Sequence, residues 1–329
     1  MSGRKVIVRI EEPTDVKHGK RPEERSAEEL LEFGVAIVDK PPGPTSHEVS
    51  SWVRRIMGAR KAGHSGTLDP NVSGVLPVGL NAATKAMGFL LKSSKEYVGI
   101  MRFHRKVEEG DVRRAFEAFT GEISQMPPVR SAVRRCERRR KVYYLRLLEY
   151  KDPEVLFLVG CEAGTYVRKL CFDIGRFLGT GAHMLELRRT RVGSMDESMA
   201  CTLQDLSDAV WLWKERGDET ALRRCVVPVE RTIDLPRVWL RDSTVESICS
   251  GAALGVPGIA RLEEGIAKGE TIALMSLKGE LVAVARAEMT SAEMAEREKG
   301  IAARTLRVMM AQGTYPRMWV KKSEKTEGK

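Results

Sequence analysis

Between Gly63 and Gly79 the chain places four glycines and two prolines in 17 residues, with one carboxylate, Asp69, among them. That density of Gly and Pro excludes a helix and allows only a short strand. Asp69 precedes Pro70, which biases it towards extended backbone. The segment runs into Val75-Leu-Pro-Val78, so the loop is tied to a buried strand. A stiff loop displaying one carboxylate, with His64 and Thr67 beside it, suits a nucleophile or a general base. The same residues also describe a glycine-rich surface turn with a capping aspartate. The six cysteines, at 136, 161, 171, 201, 225 and 249, form no C-x-x-C pair and have no histidine cluster near them. Reduced thiols and no structural zinc are expected.

The elements that must hold these groups read as short strands mixed with isolated helices. Gly34–Asp39 is a β-branched strand, broken by Lys40-Pro-Pro-Gly-Pro-Thr-Ser46, with Ser46 placed to cap a helix over His47–Met57. Lys95–Phe103 alternates like a half-buried strand, and Asp111–Phe119 like an amphipathic helix. Tyr143–Tyr150 and Val155–Cys161 read as an antiparallel hairpin. Thr165–Phe177 reads as a helix, Leu185–Val192 as a returning strand and Asp218–Cys225 as a polar helix. Beyond Asp234-Leu-Pro236, glycine-punctuated strands at Ile259–Leu262, Thr271–Ser276, Leu281–Ala287 and Arg304–Met310 suggest a small β-barrel. The fold class is α+β, a mixed or antiparallel-sheet domain followed by that barrel. Residues 1–33 are expected as a charged extension, 34–234 as the catalytic domain, 235–318 as the barrel and 319–329 as a charged tail.

At 329 residues the chain can bury a sizeable core. It carries 55 Lys and Arg against 45 Asp and Glu, a formal charge of +10 and a pI near 9.4. From Arg130 to Arg191 there are 15 basic and 7 acidic residues, so +8 falls in under a fifth of the chain. Tyr143, Tyr144 and Tyr166 lie among those arginines, which favours nucleic-acid phosphate as the partner over a solvated, salt-bridged face. No apolar run approaches the ~18 residues of a membrane span, so a cytoplasmic protein without membrane contact is expected.

The string His64-Ser-Gly-Thr-Leu-Asp69-Pro, followed by Gly74-Val-Leu-Pro-Val and Ala83-Thr-Lys85, resembles the catalytic motif of TruB-type pseudouridine synthases. It is most similar to their archaeal and eukaryotic branch, the dyskerin-like H/ACA enzymes. Lys40–Ser46 resembles the family's turn that braces the catalytic loop, and Gly164–Arg168 resembles its second motif. The wording from Met126 to Arg134 is closer to the archaeal and eukaryotic branch than to the bacterial one. Trp239-Leu-Arg-Asp-Ser, Gly251–Gly258 and Leu277–Ala283 resemble the PUA domain, an RNA-binding module.

The resemblance implies that Asp69 is the catalytic aspartate, that Arg168 pairs with it and aims it, and that Tyr166 lines the pocket. It implies that Tyr97 stacks on the target base and helps remove the C5 proton; read alone, Tyr97 is a strand aromatic of the core. His64 would fill the gap left by a flipped nucleotide. Leu187 would pack on the uracil or belong to the core, and Lys40 and Lys85 would brace the loop or meet phosphates. Arg188, Arg189 and Arg191 would meet RNA backbone. The reaction breaks the C1′–N1 bond of uridine, turns the base and rejoins it through C5, with no metal or organic cofactor. Whether Asp69 attacks C1′, attacks C6 or takes a ribose proton stays open in the sequence. As partners the resemblance implies an H/ACA guide RNA, rRNA as substrate, some stand-alone action on uridine 55 of tRNA, and three small ribonucleoprotein proteins. The absence of a long Lys-rich tail favours an archaeal source. Two rival readings are a non-catalytic RNA-binding scaffold, which an intact Asp69, Tyr97 and Arg168 argue against, and a uracil-releasing N-glycosylase.

Overall fold

The computed structural model describes residues 4–126 and 136–317. The motif at Met126–Arg134 therefore lies almost wholly outside the described residues. Contacts divide the chain into two units, residues 27–233, and residues 1–26 together with 234–329.

The larger unit is built on one ten-stranded sheet. Its strands are β1 (Gly34–Lys40), β2 (Ala62–His64), β3 (Ser73–Leu80), β4 (Lys95–Phe103), β5 (Gly121–Gln125), β6 (Arg138–Lys151), β7 (Glu154–Cys161), β8 (Ala182–Val192), β9 (Met195–Asp196) and β10 (Val226–Pro228). The order is β10-β1-β3-β8-β4-β7-β6-β5, with β2 on β3 and β9 on β8. Every pairing is antiparallel except β3 with β8, where only Ser73 meets Arg188 and Gly74 meets Arg189. This short parallel seam joins two halves with separate cores. On one side, helices α1 (Ala27–Phe33) and α2 (Ser46–Met57) and the later helix Leu203–Arg216 cover β1 and β3 through Leu30, Val49, Val53, Met57, Leu206 and Val210. On the other, the helices Glu109–Ala118 and Val167–Phe177 pack on β4 and β7 through Phe103, Phe116, Phe157, Val159, Leu170 and Ile174. Covered on both faces, β1 and β3 read as continuous apolar runs.

Helix starts follow local chemistry. Thr45, not Ser46 as expected, caps α2. Its side chain accepts from Glu48 N while Glu48 returns to the Thr45 amide, and Gly58 ends the helix in the left-handed region at φ 65°. Leu203–Arg216, which the sequence reading passed over, opens on the same device, Thr202 with Asp205. At the seam, Gly74 has φ +105°, and an added Cβ would lie 2.1 Å from the Arg189 carbonyl oxygen, so glycine alone fits.

The second unit is a seven-stranded sheet in the order Val6–Val8, Ile259–Glu263, Arg237–Leu240, Thr271–Met275, Leu281–Ala287, Ile301–Val308, Leu254–Gly255. It encloses a core of Val238, Leu240, Ile248, Ile259, Leu262, Ile272, Leu274 and Val282. Within the expected charged extension, Val6–Val8 form an ordered edge strand that pairs with Arg261–Glu263. Arg9 donates to the carbonyls of Val256 (2.6 Å) and Arg297 (2.8 Å), and Glu12 pairs with Arg241 at 2.9 Å. Arg9 and Glu12 thus find partners more than two hundred residues away. Residues 27–33, expected in the same extension, instead form α1 of the larger unit. Among the described residues no helix is long and apolar enough to cross a membrane.

Candidate active site

The loop carrying Asp69 leaves β2 and enters β3 where the ladder on that edge of β3 is interrupted. Above the gap β2 pairs with Val78–Leu80, and below it β8 pairs with Ser73 and Gly74. Pro77, which has no N–H to donate, sits in the gap, and its carbonyl accepts from Ser65 N at 3.1 Å. The Val75 carbonyl accepts from Arg189 Nε at 2.8 Å. Side chains and loop thus satisfy backbone groups that a strand would otherwise meet.

Further bonds stiffen the loop. Lys40 is fully buried, and its Nζ donates to the carbonyls of Pro41 (2.8 Å), Pro70 (2.9 Å) and Val72 (2.9 Å), using all three ammonium protons. Burial, then the charge of Arg189, pulls the Lys40 pKa down, and Asp69 opposes them. Ser46 Oγ, freed from capping duty, accepts from Leu68 N at 2.8 Å and donates to Leu68 O at 3.2 Å. Gly43 N donates to Pro70 O at 2.9 Å. The Lys40 ammonium thus ties the turn after β1 to the Asp69 loop.

With the loop pinned, the Asp69 carboxylate meets the Arg168 guanidinium in an ion pair. Arg168 lies in the first turn of the helix Val167–Phe177. Gly175 packs that helix onto the start of β8, where a Cβ would sit 2.1 Å from Ala182 N. Gln125, 3 % exposed, clamps the helix start by accepting from Tyr166 N (3.0 Å) and donating to Tyr166 O (3.2 Å). Both side chains of the pair are more than half exposed, at 52 % for Asp69 and 57 % for Arg168. An ion pair in water is worth about 0–1 kcal/mol, so this one contributes aim rather than stability.

Tyr97 on β4 stands opposite Arg189 on β8 across the ladder. Burial raises its phenol pKa, and Arg189 opposes the rise. His64 is half-buried beside the loop, edge-on to His47 with ring centroids 5.6 Å apart. Burial, then the charges of His47 and Arg189, lowers its pKa and favours the neutral ring. Leu187 lies opposite Gly99 and packs partly into the core. Lys85, exposed in the turn Asn81–Ala86, makes no described bond to the loop.

The three arginines expected on RNA behave differently from one another. Arg189 corrects the reading: at 1 % exposure it cannot reach a phosphate and serves the interior. Arg188 is held by Asp39 through two 3.0 Å bonds and by Glu197. Arg191 is half-exposed, with Glu96 at 4.0 Å and Asp196 at 3.9 Å. The sequence reading also missed His47 and Gln125. Neither carries a motif signal by itself.

A carboxylate aimed by a guanidinium suits an enzyme that works at an electrophilic carbon. Comparison with known proteins gives the class. Residues 54–167 match the TruB family pseudouridylate synthase N-terminal domain, and 168–234 match the tRNA pseudouridylate synthase B C-terminal domain. Residues 236–309 match the PUA domain and 2–50 the DKCLD domain. The chain is 54 % identical to the probable tRNA pseudouridine synthase B of Methanosarcina barkeri, over 94 % of this chain and 92 % of that one. It is 51 % identical to the protein of that name from Methanocaldococcus jannaschii, over 96 % and 95 %. A solved Cbf5-Nop10-Gar1 complex contains a chain that superposes with TM-score 0.91 at 50 % identity, covering 95 % of this chain and 96 % of that one. An H/ACA ribonucleoprotein bound to a substrate RNA containing 2′-deoxyuridine gives 0.90 at 48 %, covering 96 % and 98 %. This chain belongs to the TruB family of pseudouridine synthases. It is an isomerase.

Replacing Lys40 by Met should leave three carbonyls without their donor. We expect a cost of about 2–4 kcal/mol, seen as a lower melting temperature of the larger unit. Amide exchange across 65–72 should quicken, with turnover falling more than RNA affinity. Unchanged exchange in that loop would show that the ammonium does not hold it.

Proposed function

We propose that this enzyme isomerises uridine within RNA, with Asp69 as the reacting carboxylate and Arg168 as the group that aims it. The observation that carries the reading is the Asp69–Arg168 ion pair, in which a loop from one half of the sheet meets a helix from the other. A scaffold that merely bound RNA would have no use for a carboxylate held half-exposed on so heavily braced a loop. In the reaction C1′–N1 breaks and C1′–C5 forms; C5 loses a proton and N1 gains one, so the product is an isomer and no co-reactant is consumed. Tyr97 would stack on the uracil, Tyr166 and Leu187 would line its pocket, and His64 would occupy the space of the flipped nucleotide.

Two of the solved relatives carry names that speak of assembly, one a Cbf5-Nop10-Gar1 complex and the other an H/ACA ribonucleoprotein with substrate RNA. At about half identity over nearly the whole chain, guide-directed modification of rRNA with small protein partners of that kind is the use that fits here. The names of the curated relatives add tRNA as a substrate, for which we propose uridine 55 as the target. The second unit, matching the PUA domain, would grip the guide through phosphates, sugars and a few bases.

Asp69→Asn keeps the loop's shape and removes its charge. Pseudouridine formation in single turnover should fall by at least about 10⁴-fold with RNA affinity within about threefold. Activity within about tenfold of the parent would sink the assignment. Arg168→Lys should cost about 10²–10³-fold, because an ammonium cannot reproduce a planar two-point pairing. A near-normal rate would make Arg168 a surface residue.

For the second unit, residues 1–26 must be removed along with 234–329, since both belong to it. A 27–233 fragment should bind guide RNA more weakly than the full chain. Its log affinity should also fall less steeply with log salt, by about 0.9 for each phosphate that the second unit neutralises. Equal slopes would mean that the unit does not touch RNA.

A further inference from the structure

At the end of β4 farthest from the seam, two histidine rings meet head-on. His104, just past β4, and His183, near the start of β8, share a hydrogen bond between Nε2 and Nδ1 at 2.8 Å, with ring centroids 5.0 Å apart. Backbone bonds fix the ground beneath them. His104 N donates to Gly181 O at 3.0 Å, and Phe103 N donates to Pro153 O at 2.9 Å. Gly181 has φ +71°, and a Cβ there would lie 2.8 Å from His104 Nδ1, so a side chain at 181 would crowd that nitrogen.

The two rings line a cleft of about 330 Å³ together with Arg102, Arg105, Lys106 and Asp152, all of them exposed. Three fixed cations thus face one carboxylate. Met101, Phe103, Ala182 and Met184 pack into the core, so Arg102 and His183, opposite each other in the ladder, turn to the other face of the sheet. Arg102 and Lys106 have only long pairings, to Glu154 at 3.9 Å and to Glu108 at 3.5 Å, which a stronger partner displaces easily.

Two convergent imidazoles also suit a divalent metal. Here three cations on the rim oppose a positive guest, and among the described residues no group of three metal-ligating side chains forms. An anion fits better. In the neutral pair one proton lies in the shared bond. Of the outer nitrogens, His104 Nδ1 and His183 Nε2, one carries a proton and the other a lone pair. One further proton makes both outer nitrogens donors, adds a positive charge and leaves the shared bond in place. The three cations oppose that proton and Asp152 favours it, and a bound anion tips the balance towards it. A free anion on so exposed a surface competes poorly with water, whereas a phosphate of a polyanion already held elsewhere on the chain arrives at high local concentration.

We propose that this cleft is a second RNA-backbone site, in which the cations and the His104–His183 pair hold one phosphodiester of an RNA engaged at Asp69, and the pair tightens that hold by taking up one proton. The inference rests on reading the chain as an RNA uridine isomerase and adds a site to that reading. His183 lies six residues along β8 from Arg189 at the seam, about 20 Å. The RNA that fills both sites therefore extends well past its target nucleotide.

The test uses the full chain, an unmodified tRNA transcript and two double variants, His104→Gln/His183→Gln and Arg105→Ala/Lys106→Ala. Parental affinity should rise as pH falls from about 8 to about 5.5, where histidine ordinarily gains its charge. The histidine double should bind about tenfold more weakly than the parent at about pH 6, and within about threefold of it at about pH 8. The Arg105/Lys106 double should bind more weakly at both pH values, with a salt slope shallower by about 0.7–0.9 for the lost phosphate. Turnover at saturating tRNA should stay within about twofold of the parent in both variants. Inorganic phosphate forms the second arm, read by the histidine Cε1–H signals in NMR spectra: tRNA should move the His104 and His183 signals, and phosphate at millimolar concentration should move them far less. Parental affinity in the histidine double at low pH, or an unchanged salt slope in the other, would overturn the proposal. So would phosphate alone saturating those signals while tRNA leaves them unmoved, since the cleft would then serve a free anion. Should a double not fold, His183→Gln alone removes the shared bond and carries the same readouts. Because the readout is affinity, Asp69→Asn should keep the parental pH and salt response. If Asp69→Asn is inactive while the histidine double binds like the parent, this inference fails alone. If Asp69→Asn is active, the underlying reading fails.

Discussion

The interruption in the ladder of β3 is the constraint on which the site depends. A loop that displays a carboxylate between β2 and β3 takes backbone carbonyls out of ladder pairing, and these need other donors. Here the replacements are mostly cations. Lys40 takes three carbonyls and Arg189 takes Val75, while Ser65 N supplies the donor for Pro77. Each cation bonds to backbone oxygen in the fold, and the buried Lys40 ammonium also feels the Asp69 carboxylate. An apolar repacking of Lys40 would therefore lose loop bonds and a positive charge at once.

The seam between β3 and β8 carries the second dependence. Asp69 belongs to the half covered by α2, Arg168 to the half covered by its own helix, and the halves are joined through a two-residue parallel register. Gly74 makes that register possible by letting the Arg189 backbone approach within the space of a methyl group. The exposed Asp69–Arg168 pair contributes little to holding the halves together. The geometry runs from the core outward: packing sets the seam, the seam sets the helix and the loop, and these two set the pair. A substitution deep in either cluster could thus misaim Asp69 without touching it.

The sequence disclosed the site better than its scaffolding, for physical reasons. Glycine and proline leave a strong local trace because they act through backbone freedom, so the Asp69 loop and the Lys40–Ser46 turn are legible residue by residue. The caps carry a trace that is easily misassigned. Thr45 and Glu48 stand three apart, the spacing of a reciprocal cap, whereas Ser46 has no such partner and is spent on Leu68 instead. Thr202 and Asp205 announce the helix Leu203–Arg216 in the same way. What cannot be read locally is partnership across long separations. Lys5 and Arg9 to Glu12 look like a solvated terminus until the strand Ile259–Glu263 and Arg241 are placed beside them.

Arg189 shows why composition misleads at such a site. In the run Arg188-Arg189-Thr-Arg191 three guanidinium groups look equivalent, and a basic run beside an RNA motif invites one assignment for all three. Neighbouring residues of a strand point to opposite faces, so Arg188 and Arg189 cannot share an environment. Arg188 turns to Asp39 and Glu197 at the surface, and Arg189 turns inward to the carbonyls of Val75 and Gly66. Alternation predicts that the two differ but not which of them is buried. That depends on the register with β4, where a bulge between Glu96 and Tyr97 sets Tyr97 opposite Arg189 rather than Thr190. One irregularity in one strand pair therefore decides whether Tyr97 stands opposite a threonine or a buried cation.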